Sequence, residues 1–349
     1  MNDINIGVVG CGYWGPKHIR VCHELVEAEL TTVCDIDQNK LKQVQTQYPY
    51  LKTTTNFRDL LRNSVDAVVI ATPVNTHYKL AREALLNDLH VLIEKPITAT
   101  SQEASELIEL AEKRNLVLMV GHTYEYHPAV DYLRELVSSG ELGDIYGIDA
   151  DRLNLGLFRP DVNVLWDLAP HDISIMLTLM KEDPVEVSAR GTHHIDDNIH
   201  DVAYLEVLFS NGSMGHVHVS WLHPRKIRQI TIVGSQKMVV YDDVSETEKV
   251  VIYDKGLSIP GNGNNDGNNK FSAWPPNYRH GDVVIPFISS AEPLKVECKH
   301  FVECITEGKR PRSDGWAGLK VTSILEAADR SLLNGGQREK LDLGTMAIA

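Results

Sequence analysis

The chain has no surplus of basic residues: 34 Lys and Arg stand against 48 Asp and Glu, a formal net charge of −14. Nothing is in excess to neutralise phosphates, so nucleic acid and anionic membranes are not expected partners. An anionic small molecule would need a local cluster of Arg or Lys. Paired cysteines are lacking as well. Cys11, Cys22, Cys34, Cys298 and Cys304 form no C-x-x-C pair, and reduced, mostly buried thiols in a cytoplasmic protein are the plain reading. No apolar run is long enough to span a bilayer. The start, Met1-Asn2-Asp3-Ile4, runs into a strand pattern without the charged region and apolar stretch of a signal peptide. Internal repeats are absent, and Pro, Gly and charge are not in excess. A soluble, cytoplasmic globular protein is expected, and 349 residues suffice for two domains with their own cores.

Over the first 120 or so residues, short apolar runs alternate with amphipathic stretches. The runs are Ile4–Val9, Leu30–Cys34, Ala67–Ile70, His90–Ile93 and Val117–Val120. Between them lie helical patterns at His18–Val26, Asn75–Leu86 and Ser101–Arg114, with Ser101-Gln102-Glu103-Ala104 reading as a capped start. That alternation predicts a parallel sheet covered on both faces. After Gly121 the pattern changes. Helices are expected at Pro128–Ser138 and His171–Met180, and strands at Val202–Phe209, Met214–Leu222, Ile227–Val233 and Lys237–Tyr241. Asn211-Gly212 reads as a hairpin turn between the first two strands. The fold class is therefore α/β, with domains over 1–121 and 122–349, the second a mixed α+β domain with a mostly antiparallel sheet. Gly261 to Asn269 reads as a polar turn-rich loop, and a last helix over Leu319–Leu333 ends at Asn334-Gly335-Gly336.

The run Gly10-Cys11-Gly12-Tyr13-Trp14-Gly15 follows the first strand and opens a helix. Its glycines permit a tight turn, a close approach of backbone to a pyrophosphate, and close helix–strand packing. The helix N-terminus offers N–H groups and a positive dipole end to the phosphates. Asp35 stands twenty residues beyond Gly15, at the end of the second strand, where an acid accepts from ribose hydroxyls and repels a 2′-phosphate. NAD is thus favoured over NADP. Asp37 could share the role of Asp35, or reads as a solvated helix-start acid. In Thr72-Pro73-Val74-Asn75-Thr76-His77, which follows the third of the runs' strands, Thr72 and Pro73 would line the cofactor and Asn75 would cap the next helix.

Two further segments carry chemistry. Glu94-Lys95-Pro96 closes a strand at its carboxyl end, and a lysine there would polarise a substrate oxygen. The alternative is a surface lysine that snorkels. In Trp166-Asp167-Leu168-Ala169-Pro170-His171-Asp172, Pro170 marks the first turn of a helix, and Asp167 and His171 would meet on one face if the turn is helical. A carboxylate beside an imidazole fixes its tautomer and raises its basicity, preparing it to take a hydroxyl proton as hydride leaves. The alternative makes Asp167 an N-cap. No metal is expected: His193-His194-x-Asp196-Asp197-x-x-His200 fits no familiar ligand spacing and reads as a loop. His216 and His218 share one strand face. His122, Tyr124 and His127 lie just past the domain junction, where packing and substrate contact are both open.

Together these residues resemble the glucose–fructose oxidoreductase/inositol dehydrogenase/MocA family. The resemblance covers nearly the whole chain. It is carried by the N-terminal glycine motif, Ala71-Thr72-Pro73-x-x-x-His77, Glu94-Lys95-Pro96, Asp167-x-x-x-His171-Asp172, Arg310-Pro311-Arg312-Ser313-Asp314-Gly315 and Leu325-Glu326-Ala327-Ala328. It implies a Rossmann domain plus a domain with an open-faced sheet that forms a homo-oligomer interface, as a dimer or tetramer. It implies Lys95 and His171 as catalytic pair, assisted by Asp167. A cofactor site of Gly10, Gly12, Tyr13, Trp14, Gly15, Asp35, Thr72, Pro73, His77, Glu94 and Lys95 would hold NAD. Members commonly carry two glycines shortly before the D-x-x-x-H segment, where this chain has Val164-Leu165-Trp166. The stretch from Asp151 to Asn163 is similar to a polysaccharide-cluster branch that acts on nucleotide-linked sugars such as UDP-N-acetylglucosamine or its uronate at C3. Arg152, Asn154, Arg159 and Asn163 are then the substrate-binding candidates, with exposed structural arginines as the alternative. A dehydrogenase of a free monosaccharide or inositol, or a non-catalytic NAD-binding regulator, remains open.

Overall fold

A computed structural model describes residues 4–62, 65–258 and 277–341. The polar loop expected from Gly261 to Asn269 lies outside the described residues. Contacts divide the chain into two compact units. One holds the chain up to His127 together with Ala291–Glu326, and the other Pro128–Ser290 with Ala327–Asp342. The sequence places a single break at 121/122. The structure puts the break six residues later and returns a C-terminal segment to the first unit.

The first unit is built on β1 (Ile4–Val9), α1 (Gly15–Glu24), β2 (Ala28–Cys34), α2 (Gln38–Gln47), β3 (Lys52–Thr54) and α3 (Phe57–Leu61). It continues through β4 (Ala67–Ile70), α4 (Val74–Leu86), β5 (His90–Glu94), α5 (Ser101–Arg114) and β6 (Leu118–Gly121). Six parallel strands run in the order β3-β2-β1-β4-β5-β6. The order reverses between β1 and β4, which leaves a crevice at their carboxyl ends. Successive residues of β1 feed opposite faces: Ile6 and Val8 join one buried cluster with Val21, Val33 and Phe301, and Val9 joins the other with Ile70, Ala84 and Leu107. A strand covered on both sides must be apolar at every position, which is why Ala67–Ile70 is buried throughout. Local caps differ in detail from the sequence reading. Thr100, not Ser101, caps α5, its hydroxyl accepting the Glu103 N–H at 3.2 Å. Pro73 rather than Asn75 occupies the cap position of α4.

The second unit begins with α6 (Pro128–Ser138), β7 (Ile145–Leu155), α7 (Val164–Met180), β8 (Pro184–Thr192), β9 (Val202–Phe209) and β10 (Met214–Ser220). Then come β11 (Leu222–Gly234), β12 (Met238–Asp242), β13 (Val250–Ser258) and β14 (Asn277–Val284). After them α8 (Pro293–Glu307) packs with the first unit, and α9 (Gly315–Leu333) crosses the division between Glu326 and Ala327. Finally β15 (Glu339–Lys340) pairs with β8. The sheet order is β14-β13-β12-β11-β7-β10-β9-β8-β15, antiparallel except for β7 beside β10. α7 covers one face of β7, β9 and β10. It starts seven residues earlier than the sequence reading placed it. Asn163 caps it, its side-chain oxygen accepting the N–H groups of Leu165 and Trp166 at 3.1 and 3.2 Å. Pro170 therefore lies inside the helix rather than in its first turn.

Candidate functional site

The crevice of the first unit is shaped by its glycines. Gly10 has φ +97°, and a Cβ there would stand 2.5 Å from the Ala71 carbonyl oxygen. A Cβ on Gly15 would stand 1.9 Å from the Gly10 carbonyl oxygen, so the helix cannot begin this close to the strand with any other residue. Gly12 differs: no heavy atom lies within 4 Å of its missing Cβ. The fold does not need glycine there, and a ligand seated against the backbone would. Pro16 follows in the first turn of α1, and no side chain caps that end, which leaves N–H groups for an anion. Beside the loop, the Lys17 ammonium lies 3.7 Å from the Tyr13 ring centre and 4.1 Å from that of Trp14.

Asp35 ties this loop to β2. Its Oδ2 accepts the Cys11 N–H at 2.5 Å and its Oδ1 the Asp37 N–H at 2.8 Å. Each carboxylate oxygen keeps a second lone pair, so bracing the loop and accepting from a ribose are compatible. Asp37 caps α2 through the Asn39 N–H. The Cys11 thiol is pushed up to about 12 by burial and by Asp35, which makes it inert.

The loops after β4 and β5 are stitched together by His77. Its Nδ1 lies 2.9 Å from the Pro96 carbonyl and its Nε2 2.8 Å from that of Thr72. At 1 % exposure it holds the loops that Thr72, Pro73 and Lys95 sit on, and burial draws its pKa down against the pull of the two carbonyls. Thr76 donates to Thr72 Oγ1 and the Pro73 carbonyl, both at 2.7 Å.

Lys95 is half-buried at the carboxyl end of β5, and its peptide bond to Pro96 is cis. Around that strand end lies a set of buried ionisable groups that no motif or spacing connects. His18 of α1 meets Glu94 Oε1 at 2.7 Å, with the Cys298 Sγ 3.7 Å from its other ring nitrogen. Glu297 of α8 accepts from the Thr123 hydroxyl at 2.9 Å; burial first, and Glu94 second, push its pKa well above the usual carboxylate range. His122, wholly buried, is held down to about 3 by burial and by the Lys95 charge, so it stays neutral. No signal in the sequence links α8 to β5, because their residues lie some 200 positions apart.

In the second unit, Asp167 and His171 lie four apart on α7 and so share a face, Asp167 in the first turn after the Asn163 cap and His171 one turn further on. Asp167 is not the N-cap. Its Oδ2 accepts the Trp221 indole N–H at 3.0 Å, and its Oδ1 lies 3.6 Å from the Arg159 guanidinium. Arg159 is otherwise paired with Asp161 at 3.1 and 2.9 Å. Arg152 is turned inward rather than toward solvent: its guanidinium holds Asp172 at 2.6 and 3.0 Å, and both groups are buried. Asn163 is the cap of α7 and donates to Asp329 at 2.8 Å. Of the four substrate candidates, Arg152 and Asn163 thus have structural partners that account for them. Arg159 is half-exposed beside Asp167, and Asn154 is partly exposed at the end of β7.

Among the described residues no group of three or more His, Cys, Asp or Glu is placed to hold a metal ion. His194 is instead paired with Asp201 at 2.8 Å. No helix among the described residues is long and apolar enough to cross a membrane.

Known proteins resemble both units. Residues 4–122 match the oxidoreductase family with an NAD-binding Rossmann fold, and residues 130–240 the GFO/IDH/MocA C-terminal domain. The UDP-N-acetylglucosamine 3-dehydrogenase of Acidithiobacillus ferrooxidans is 29 % identical over 92 % of this chain and 95 % of its own. Its solved structure superposes with a TM-score of 0.78, covering 95 % and 98 % of the two chains at 26 % identity. The myo-inositol 2-dehydrogenase of Thermotoga maritima is 24 % identical over 94 % of this chain and 96 % of its own. An oxidoreductase domain protein from Kribbella flavida shares the fold at a TM-score of 0.83 and 21 % identity, over 98 % and 100 % of the two chains. NAD is the nucleotide of this fold family, and the open space at Gly12, the uncapped start of α1 and Asp35 fit it.

Proposed function

The chain belongs to the GFO/IDH/MocA family of NAD-dependent oxidoreductases, and from that premise we propose that it interconverts a secondary alcohol and a ketone on a sugar. The sugar we assign is nucleotide-linked, UDP-N-acetylglucosamine or its uronate with reaction at C3, serving polysaccharide precursor synthesis in the cytoplasm. The observation that carries this reading is the end-to-end similarity to a UDP-N-acetylglucosamine 3-dehydrogenase. When bound, NAD+ would supply the hydride acceptor in oxidation and NADH the hydride donor in reduction.

The chain's own residues supply the proton chemistry and the orientation. Glycines 10, 12 and 15 and the first turn of α1 bind the pyrophosphate, Asp35 the ribose, and Thr72 and Pro73 line the same crevice. His171 takes the hydroxyl proton as the C–H bond breaks with its electron pair, and returns it in the reverse direction. Asp167 orients the imidazole and stabilises its charged form. Lys95 stabilises negative charge on the reacting oxygen. Arg159, half-exposed beside Asp167, is suited to a phosphate or carboxylate of the substrate. Self-association, as a dimer or tetramer, would use the open face of the nine-stranded sheet, where Tyr204 and Met214 are about half exposed.

NADH absorbance with purified protein, NAD and a panel of UDP-sugars, free hexoses and inositols tests the reading. A 2-oxo-acid acceptor is included, in case the reduced cofactor stays bound. Turnover confined to nucleotide sugars supports it; turnover on free polyols alone moves the substrate to that class. His171→Ala should abolish turnover with NAD affinity intact. Tight NAD binding with silence across the panel would favour a regulatory protein.

A further inference from the structure

We propose that Trp221 is a positioning residue for the Asp167–His171 pair: its indole N–H fixes the carboxylate that in turn sets the imidazole. The inference rests on the catalytic reading of Asp167 and His171 given above. Trp221 sits at the junction of β10 and β11 and is 2 % exposed. Its backbone is pinned on both sides, the N–H donating to the Asp201 carbonyl at 2.9 Å and the carbonyl accepting the Gly156 N–H at 3.0 Å. The ring is set edge-on to Phe158, with centres 5.2 Å apart. Gly156 lies so close that a Cβ there would stand 3.1 Å from the indole Cδ1. An indole has one donor and no acceptor. Here that donor, held by backbone and ring contacts, points at Asp167 Oδ2 from 3.0 Å.

A buried N–H given to a carboxylate is directional and favours the ionised form. Near Asp167, the Arg159 guanidinium is about half-exposed and held by Asp161, so water screens it and its position is less constrained. Trp221 thus gives Asp167 a neutral, desolvated donor that directs how the carboxylate is turned on α7. Were Trp221 a packing residue alone, its ring would matter and its N–H would not. The two roles separate in Trp221→Phe, which keeps an aromatic ring and deletes the donor.

The assay is the pH profile of kcat/KM for oxidation by the whole protein, with NAD and the active substrate from the panel. A carboxylate that has lost a donor is a stronger base and holds the His171 proton more tightly. The acid limb should accordingly move up by about one pH unit, with kcat down about tenfold and KM and NAD affinity changed less than twofold. In an Asp167→Asn background, Trp221→Phe should cost nothing further, because the group it acts on is gone. A profile that superimposes on wild type, or a cost repeated in full in the Asp167→Asn background, overturns the proposal. Should Trp221→Phe not fold, benzothienylalanine incorporated at position 221 alone deletes the N–H at constant ring shape and carries the same expectations. Failure of the underlying reading looks different: Asp167→Asn and His171→Ala would themselves leave turnover unchanged.

Discussion

Replacing Gly12 by alanine and, separately, Gly15 by alanine puts two different questions to one loop. At Gly15 the new methyl would lie 1.9 Å from the Gly10 carbonyl oxygen, a backbone atom that cannot swing away. The loop or the start of α1 must shift, and overpacking of this kind costs about 1–3 kcal/mol. For a unit of this size that is a fall in Tm of roughly 3–9 °C without ligand. At Gly12 the methyl meets nothing within 4 Å and the backbone is not left-handed, so the free protein should melt within a degree or two of wild type. NAD binding should tell the opposite story there, because the methyl stands where the pyrophosphate must approach the chain. At a ligand concentration of 100 Kd, NAD stabilises wild type by about 2.7 kcal/mol. A tenfold weaker Kd removes about 1.4 kcal/mol of that, so the NAD-induced rise in Tm should shrink by roughly half in Gly12→Ala. Melting curves with and without NAD, with a fluorescence titration for Kd, measure both quantities. Wild-type affinity in Gly12→Ala would refute the assignment of that open space to the pyrophosphate. Wild-type stability in Gly15→Ala would refute the geometry of the loop.

The remaining predictions concern buried charge. Arg152→Met should leave Asp172 ionised and unpaired in the interior and cost about 3–5 kcal/mol in urea unfolding, whereas Arg152→Met with Asp172→Leu should recover much of it. A double variant as unstable as the single one would show that the ion pair is not what the arginine provides. His122 gives a pH dependence of definite sign. Its folded pKa of about 3 lies below its ordinary 6.5, so between those values only the unfolded chain takes up the proton. Stability contributed at this site is therefore intact above pH 6.5 and lost as pH falls, by about 2 kcal/mol at pH 5. His122→Phe should flatten that limb between pH 7 and 5; an equally steep loss in the variant would assign the acid sensitivity elsewhere.

The nucleotide-binding half was legible because its signals are local. Each strand there is a short run that must be apolar on both faces, and the turn after β1 needs glycine where backbone meets backbone. The six parallel strands include all five of the expected runs, with ends shifted by a residue or two. The strand β3 and the short helix α3 were not read, being too brief for any period to show. In the second unit β7 escaped because Arg152, a charged residue at a buried position, breaks the alternation that marks a half-buried strand. The start of α7 was misplaced for a related reason. Proline ordinarily marks a first turn, which puts the start at Pro170, whereas the structure caps the helix at Asn163, seven residues upstream. The helix α8 shows the limit of periodicity itself: a helical pattern says which face is apolar, not which core will take it.

The candidate site divides along the same line. Glycine spacing, the acid after β2 and the i, i+4 relation of Asp167 and His171 are set by neighbours in sequence, and these positions stand where the motifs put them. What each polar side chain does is decided by partners far along the chain. Arg152 finds Asp172 across 20 residues, Trp221 finds Asp167 across 54, His18 finds Glu94 across 76, and Asn163 finds Asp329 across 166. No local period carries those pairings. An arginine in a stretch that resembles a sugar-binding segment therefore reads the same whether it faces a ligand or closes an ion pair. Arg152 and Arg159 are seven residues apart and chemically identical, yet one is buried on a carboxylate and the other half-exposed beside Asp167. The desolvation cost of leaving a guanidinium unpaired inside the fold is what separates them, and it is fixed only once the sheet has closed over Arg152.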